Sequence, residues 1–319
     1  MPSDAVRLVA VLSSPTARAL VDALGAAASA RASTVMVSLG GSPGRTARLP
    51  FELSDFDAGV AAHSPALQRA DVEAVAAAAA SRGVDLVLSI ATADTMPLAR
   101  GLRAAAWHLP AAALLDLPLV AAVAGEGVPL WIDTAMAALD EVAETVAAAL
   151  KAGARVLLLH GLATAPGRPD EVNLRALATL RERFGLPVGW HAREATPALV
   201  SAAVALSASV VAVPFDPAGA TGFDAAALEA RAADVALVAR ALGDGEKRVQ
   251  PSEWAERDRA HPSLVARVDI ARGHTLTAEM LATAPPGIGL KPRAATDVVG
   301  RRAAVDIAAG TLITLGMLE

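Results

Sequence analysis

The chain has 319 residues, a net charge of −5 and 54% hydrophobic residues. These values exclude a disordered or fibrous protein and predict a large core, arranged as two domains or as one large α/β barrel with an appended domain. The sequence contains no basic run, so we expect no nucleic-acid partner. It also contains no cysteine, which excludes disulfides and thiolate metal ligands.

The apolar stretch at residues 104–123 is the part of the chain that most resembles a membrane span. It contains His108, Asp116 and two prolines, and we therefore interpret it as buried barrel wall. The first twelve residues lack the charged and apolar regions of a signal peptide. We expect a cytoplasmic protein with no membrane partner.

Short apolar runs alternate with alanine-rich helical patterns over the first 242 residues. The predicted strands are residues 7–12, 34–38, 84–90, 106–109, 129–132, 155–160, 187–190 and 210–214. The predicted helices are residues 16–30, 71–81, 97–105, 139–151, 171–183, 197–206 and 225–242. Eight strands, most of them followed by a helix, predict a (β/α)8 TIM barrel. Residues 40–69, rich in Gly, Pro and Ser, are predicted to form a long loop after the second strand.

The composition changes after the last predicted helix of the barrel. We expect the barrel to span residues 1–245, a linker to span 246–262, and a small β domain to span 263–319. The β domain contains a weak internal echo, because residues 268–273 (VDIARG) resemble residues 305–310 (VDIAAG). Two similar half-clips packed together would explain this echo.

Several motifs carry a family resemblance. The run VNLRAL at 172–177, followed by FGLPVG at 184–189, resembles the sixth-to-seventh strand region of the sialic acid synthase family. The segment ALGDG at 241–245 resembles the start of that family's linker. The tail, with PGIGL at 286–290, resembles the family's antifreeze-like (SAF, β-clip) domain.

The resemblance implies a specific chemistry. Members of the family condense phosphoenolpyruvate with an N-acylated mannosamine-type sugar to give an acidic nine-carbon sugar. A manganese or magnesium ion, held by histidines at the ends of the seventh and eighth strands, polarises the sugar aldehyde. Lysines on the second and fourth strands help to hold the substrate and phosphate. The family forms a homodimer that is domain-swapped through the SAF domain, and a homodimer is expected here too.

This chain departs from the family pattern where the chemistry takes place. The two positions that the resemblance assigns to metal ligands hold Arg193 and Pro214. His108 stands in place of the fourth-strand lysine, and Asp133 in place of the serine of a Ser-Thr-Gly-Met motif. A guanidinium cannot coordinate a cation, and we found no other histidine pair with metal spacing along the chain. We therefore predict no metal ligands and no cofactor.

The polar residues that remain near the predicted strand ends are the candidate site. They are His108, Asp133, Thr134, His160, His191, Arg193, Glu194 and Asp216. One interpretation is a new anion site for an acidic sugar or phosphorylated small molecule, with Arg193 binding the anion and His191 as acid or base. The alternative is a set of rim ion pairs that contribute little.

Three of these residues have alternatives of their own. Asp133 and Thr134 could cap the following turn or accept hydrogen bonds from a hydroxylated ligand. His108, in an apolar run, could be a hydrogen-bonded structural histidine. His160 could face the barrel cavity, because strand ends often do.

These observations predict a divergent family member that is impaired in metal-dependent condensation and acts as a binding or accessory subunit. A second hypothesis is an active enzyme of acidic-sugar biosynthesis that uses a metal-free site built on Arg193 and His191. A third is a structural partner of an active paralogue, reached through the SAF domain.

Overall fold

The computed structural model describes residues 6–14, 16–39, 67–164 and 167–319. The chain divides into two compact units, Met1–Gly243 and Asp244–Glu319. The long loop predicted at residues 40–69 falls almost entirely outside the described residues. No helix in the described part of the chain is long and apolar enough to cross a membrane.

The first unit is a closed barrel of eight parallel strands, which confirms the predicted fold class. The strands follow one another in chain order, and the eighth pairs with the first through the Val9–Ala212 register. The strands are β1 Arg7–Leu12, β2 Thr34–Ser38, β3 Asp85–Ser89, β4 Ala106–Leu109, β5 Leu130–Asp133, β6 Val156–Gly161, β7 Val188–His191 and β8 Val210–Phe215. The predicted strand bounds differ from these by at most one residue at either end.

The α-helices of the first unit lie between the strands and after the last one. They are α1 Ala17–Ser29, α2 Arg69–Ser81, α3 Met96–Ala99, α4 Leu117–Ala124, α5 Leu139–Lys151, α6 Ala176–Phe184, α7 Pro197–Ala205 and α8 Ala225–Leu242. Two predictions were too long. The helix predicted at 97–105 is the single turn α3, and the helix predicted from residue 171 begins at Ala176.

Helix α4 was missed by the sequence analysis, which treated its residues as barrel wall. Its start is well defined, because the side chain of Asp116 accepts a hydrogen bond from the backbone N–H of Leu119 at 3.1 Å. Pro118 lies in the first turn, where its missing N–H leaves no intrahelical bond unmade. The proline that argued against a membrane span therefore marks the beginning of a helix.

The inside of the barrel is filled by apolar side chains from alternate strand positions, as expected for this architecture. The buried inward-facing residues are Val9, Met36, Val87, Ala106, Trp131, Leu159, Val210 and Ala212. The other face of the strands packs against the helices in a separate and larger core. A polar side chain at an inward position near a strand end therefore lies on top of a dry apolar layer.

The second unit begins with a segment that contains the helix α9 Trp254–Ala260, in the region predicted as a linker. Strands β9 Ser263–Ala266 and β10 Leu281–Ala284 pair in antiparallel fashion, and a short helix α10 spans Ala295–Val298. A compact apolar core, with Leu264 and Ile313 among its members, holds this unit together.

The sequence echo corresponds to two segments that pair with each other. Ile270 and Ile307 exchange backbone hydrogen bonds of 2.8 Å in both directions. Asp306 Oδ1 accepts the N–H of Arg272 at 2.7 Å, and Asp269 Oδ1 accepts the N–H of Ala309 at 2.7 Å. Each aspartate of the echo therefore fastens the turn of the opposite half.

Candidate functional site

A buried polar cluster lies at the carboxyl ends of four barrel strands. We define the polar cluster as Ser89 of β3, His108 of β4, Asp133 of β5, His191 of β7 and Arg193, two residues after β7. His108, Asp133 and His191 are 2%, 1% and 3% exposed. Catalytic and binding groups of such barrels lie at this end.

Asp133 is the centre of the cluster. Its Oδ2 accepts a hydrogen bond from Nδ1 of His191 at 2.8 Å and lies 3.2 Å from Nη2 of Arg193. Its Oδ1 accepts the backbone N–H of Ala135 at 3.1 Å. Burial alone raises the pKa of the Asp133 carboxyl, but the hydrogen bond and charge of His191 lower it to about 2. The carboxylate is therefore ionised and compensated inside the barrel.

Only one of the two ring nitrogens of His108 has a hydrogen-bond partner among the described residues. Its Nδ1 lies 2.9 Å from Oγ of Ser89, whereas its Nε2 is buried and has no hydrogen-bond partner among the described residues. Nε2 faces Asp133 Oδ2 at 4.0 Å, which is too long for a hydrogen bond. Burial, and next the neighbouring His191, lower the pKa of His108 to about 3, so its ring is neutral near pH 7.

Arg193 closes one side of the cluster. Besides its contact with Asp133, its Nε donates to the carbonyl of Leu162 at 3.3 Å. One third of its side chain is exposed, so the guanidinium joins the buried carboxylate to the solvent. Arg193 is therefore already paired with an anion, and that anion belongs to the protein.

The backbones of β6 and β7 lie very close together next to the polar cluster, at Gly161 and His191. A Cβ added to Gly161 at the end of β6 would lie 2.2 Å from the carbonyl oxygen of His191. Glycine is required here because nothing larger than hydrogen fits between the two strands. The position of the His191 backbone thus depends on this glycine.

His160 and Thr134 belong to a different place. They line a cavity of about 320 Å³ between the ends of β5 and β6 and helices α5 and α6. Nε2 of His160 lies 2.9 Å from the carbonyl of Val172, and Oγ1 of Thr134 donates to the carbonyl of Leu159 at 3.1 Å. His160 follows the inward-facing Leu159, so it lies on the outer face of the sheet and away from the barrel interior.

Glu194 and Asp216 organise loops. Oε2 of Glu194 accepts the N–H of Gly167 at 3.1 Å. Asp216 accepts hydrogen bonds from the backbone of Ala218, Ala220 and Thr221, and these bonds lower its pKa. Neither carboxylate has an interaction with the polar cluster in the described structure.

The structure therefore brings together four of the eight candidate residues, and it adds one that the sequence analysis did not name. Ser89 was missed because a lone serine at a strand end is an ordinary residue. The strand pattern could have found it: Ser89 pairs with His108 across β3 and β4 and shares its inward orientation. The same pattern places His108 and His191 near each other, with ring centroids 5.6 Å apart. Spacing along the chain hid this histidine pair.

The two positions that the family resemblance assigns to metal ligands do not fit a cation. Arg193 is a fixed cation held by Asp133. Pro214 lies within β8, paired with Val11 of β1, and offers no side-chain donor. Three other donors do lie together, because ligand atoms of His108, Asp133 and His191 are all within 4.8 Å of one another.

Comparison with known proteins fixes the family. The NeuB family model matches residues 58–228, and the SAF domain model matches residues 261–319. The chain belongs to the NeuB family. It is a sialic acid synthase-family member with a C-terminal SAF domain, and its curated relatives include synthases named for neuraminic, legionaminic and pseudaminic acids.

Similarity to individual proteins is moderate. The N,N'-diacetyllegionaminic acid synthase of Legionella pneumophila is 26% identical over 66% of this chain and 63% of its own length. Human N-acetylneuraminate-9-phosphate synthase is 29% identical over 60% of this chain and 56% of its own length. The matches thus span about three fifths of these relatives. The N-acetylneuraminic acid synthetase structure from Leptospira borgpetersenii superposes with a TM-score of 0.70 at 16% identity, over 79% of this chain and 90% of its own, and supports the fold alone.

Proposed function

We propose that this chain is a nonulosonate synthase-family protein that is impaired in the metal-dependent condensation and acts as a binding or accessory subunit in acidic-sugar biosynthesis. The observation that carries the proposal is the pairing of Arg193 with the buried Asp133. The group at a metal-ligand position of the family is thus a cation that neutralises a carboxylate of the protein. The second position, Pro214, has no donor.

The loss matters because the family reaction needs a Lewis acid at the sugar aldehyde. Polarising a carbonyl with a metal ion contributes several kcal/mol of transition-state stabilisation. Each 1.4 kcal/mol is about tenfold in rate, so losing ~4 kcal/mol slows condensation roughly a thousandfold.

The anion site that the resemblance implies is altered as well. His108, neutral near pH 7, stands where the family has a lysine ammonium. Asp133, ionised, stands where the family has a serine hydroxyl. Phosphoenolpyruvate would therefore meet a buried carboxylate and lack one cation. Both changes oppose binding of phosphoenolpyruvate next to Asp133, inside the barrel, and leave the solvent-exposed part of Arg193 as the cationic contact for an anion at the rim.

The direct test is a condensation assay. Purified protein is incubated with phosphoenolpyruvate, N-acetylmannosamine and manganese, and phosphate release and the acidic sugar product are measured. The synthase of Legionella pneumophila, assayed for formation of the N,N'-diacetyllegionaminic acid in its name, is the positive control. We expect phosphate release to be about a thousandfold slower than that of the control synthase, or slower still. Release at the rate of the control synthase would overturn the proposal.

The binding role needs its own measurement. We expect the chain to bind an acidic sugar or a phosphorylated small molecule, with Arg193 as the cationic contact. Calorimetric titration with N-acetylneuraminate, for the wild type and Arg193→Gln, tests this expectation. Equal heats for both proteins would remove Arg193 from the binding role.

A second candidate function is an active enzyme with a metal-free site. It is favoured by the hydrogen bond from His191 to the buried Asp133, since a carboxylate that orients an imidazole is a common general acid–base arrangement. It predicts phosphate release from phosphoenolpyruvate and an N-acylated sugar that persists with a chelator and disappears in His191→Asn. The accessory role predicts release at least about a thousandfold slower than that of the control synthase under either condition.

The proposal includes a homodimer in the cytoplasm, domain-swapped through the SAF domain as in the family. Light scattering of the eluting protein measures the mass in solution. Co-purification with a metal-binding homologue would instead support a partner of an active paralogue.

A further inference from the structure

The structure assigns a new metal site: we propose that His108, Asp133 and His191 bind one divalent transition-metal ion of the zinc class. This site differs from the two positions that the family resemblance assigns to ligands. It goes beyond the proposed function, because an ion held here does not restore the family's metal site. Its test requires no enzymatic activity.

The donor atoms lie close to the separation that a tetrahedral metal ion requires. Asp133 Oδ2 lies 2.8 Å from His191 Nδ1 and 4.0 Å from His108 Nε2. A tetrahedral zinc ion, with bonds of about 2.0–2.1 Å to nitrogen and oxygen, needs donors about 3.3 Å apart. These two distances bracket this value, and all three ligand atoms lie within 4.8 Å of one another, so side-chain rotations that bring the two histidines closer would complete three ligand positions. All three strand ends belong to one closed barrel, which holds the donors in place.

His108 has a buried ring nitrogen without a hydrogen-bond partner among the described residues. Nε2 is fully buried, lacks a hydrogen-bond partner in the described structure and is aimed at Asp133. Buried polar atoms are nearly always satisfied, so an exception at a strand end of the barrel needs an explanation. Ser89 Oγ can accept the Nδ1 proton, and that tautomer directs the lone pair of Nε2 at the carboxylate. Metal-bound histidines are typically oriented by such a bond from the other ring nitrogen.

The types of the three donors favour zinc over magnesium. Two imidazoles and one carboxylate suit zinc, whereas magnesium prefers oxygen donors alone. The ion would replace the proton that His191 Nδ1 shares with Asp133, and one proton would leave to solvent. Arg193, a third of it exposed, can move its guanidinium away from Asp133 toward water as the cation enters.

The competing interpretation is a structural hydrogen-bond network that holds no ion. That network explains His191 and Arg193, both of which have partners. It leaves His108 Nε2 unexplained. The two interpretations differ in what the purified protein does with zinc.

The test is uptake of zinc chloride by full-length protein that has been stripped with a chelator and dialysed. Calorimetry and elemental analysis after gel filtration measure stoichiometry. We expect about one zinc per chain in the wild type, at least a tenfold loss of affinity in His108→Asn and in His191→Asn, and no uptake of magnesium. His160→Asn is the matched control, because His160 lies near the end of the neighbouring strand β6 but outside the polar cluster.

Zinc uptake that is equal in the wild type and His108→Asn would overturn the proposal, as would less than a tenth of an equivalent in the wild type. If the variants do not fold, a zinc-soaked crystal of the wild type decides: an anomalous peak bonded to the three donors supports the site, and its absence refutes it. Condensation is measured separately, so zinc uptake and loss of condensation can each fail without the other.

Discussion

Replacing Asp133 by asparagine tests whether a buried, compensated charge organises the end of the barrel. The side chain is 1% exposed, and asparagine keeps its volume. The amide N–H groups of asparagine, however, face Nη2 of Arg193, which is also a donor. In metal-free protein at pH 7 we therefore expect a net destabilisation.

Two estimates give the size of the effect. Lowering the pKa of Asp133 from 3.8 to about 2 corresponds to roughly 2 kcal/mol of stabilisation of the charged form. Removing one partner of a buried ion pair costs about 3–5 kcal/mol. We expect Asp133→Asn to lower the free energy of unfolding by about 3 kcal/mol.

The sign of the pH dependence follows from the direction of the shift. Because the folded-state pKa is depressed, the stabilisation is fully present above about pH 4, the pKa range of an unfolded aspartate, and is lost as the pH falls toward 2. The difference between wild type and variant should therefore be the same at pH 7 and pH 6 and shrink below pH 4.

The assay is urea unfolding followed by tryptophan fluorescence, since Trp131 is buried inside the barrel. Asp22→Asn, an exposed aspartate on α1, is the matched control and should change stability by less than about 0.5 kcal/mol. An Asp133→Asn variant as stable as this control would refute the view that the Asp133 charge is buried and compensated by its partners.

Two further predictions concern backbone packing and the second unit. Gly161→Ala places a Cβ 2.2 Å from the carbonyl oxygen of His191 and should lower the free energy of unfolding of the barrel by about 1–3 kcal/mol or more. Gly316→Ala is the control and should be neutral, because a Cβ at Gly316 meets no described atom within 4 Å. Equal melting temperatures for the two variants would contradict this prediction. Asp269→Ala and Asp306→Ala each remove one hydrogen bond of 2.7 Å between the halves of the echo, so each should lower the stability of that unit by about 1 kcal/mol in chemical denaturation. If only one of these two variants lowered the stability of the unit, the prediction that the two halves of the echo are equivalent would be wrong.

The sequence predicted the barrel well because its strands are continuous apolar runs, a pattern that depends on local composition. The run of residues 156–159 is an example, and its predicted strand agrees with β6 to one residue at either end. Helix α4 was missed for an equally local reason: prolines and a short length resemble a break unless the capping aspartate is recognised. The correct prediction of β6 and the missed helix α4 thus both depended on residues adjacent in the sequence.

The site could be predicted only in part, because contacts between strand ends depend on which face each residue occupies. His191 ends β7 and His160 lies one residue before the end of β6, yet His160 faces outward and His191 faces the barrel interior. Neighbouring residues of a strand face opposite sides of the sheet, so an error of one residue in a predicted strand moves a side chain from the barrel interior to the outer face. Spacing along the chain carries no information on how close His108 and His191 lie across the closed barrel.

The charges within the polar cluster account for the combination of an arginine, a carboxylate and two histidines at this end of the barrel. A buried carboxylate at Asp133 is costly unless a cation compensates it. Arg193, at a position that the family resemblance assigns to a metal ligand, provides that cation, and His191 provides a hydrogen bond. Arg193→His alone would therefore leave Asp133 less compensated, and it would not complete the ligand pair that the family resemblance implies, because Pro214 has no side-chain donor. The proposed metal site instead uses the Asp133 carboxylate together with His108 and His191, whose ligand atoms already lie within 4.8 Å of one another.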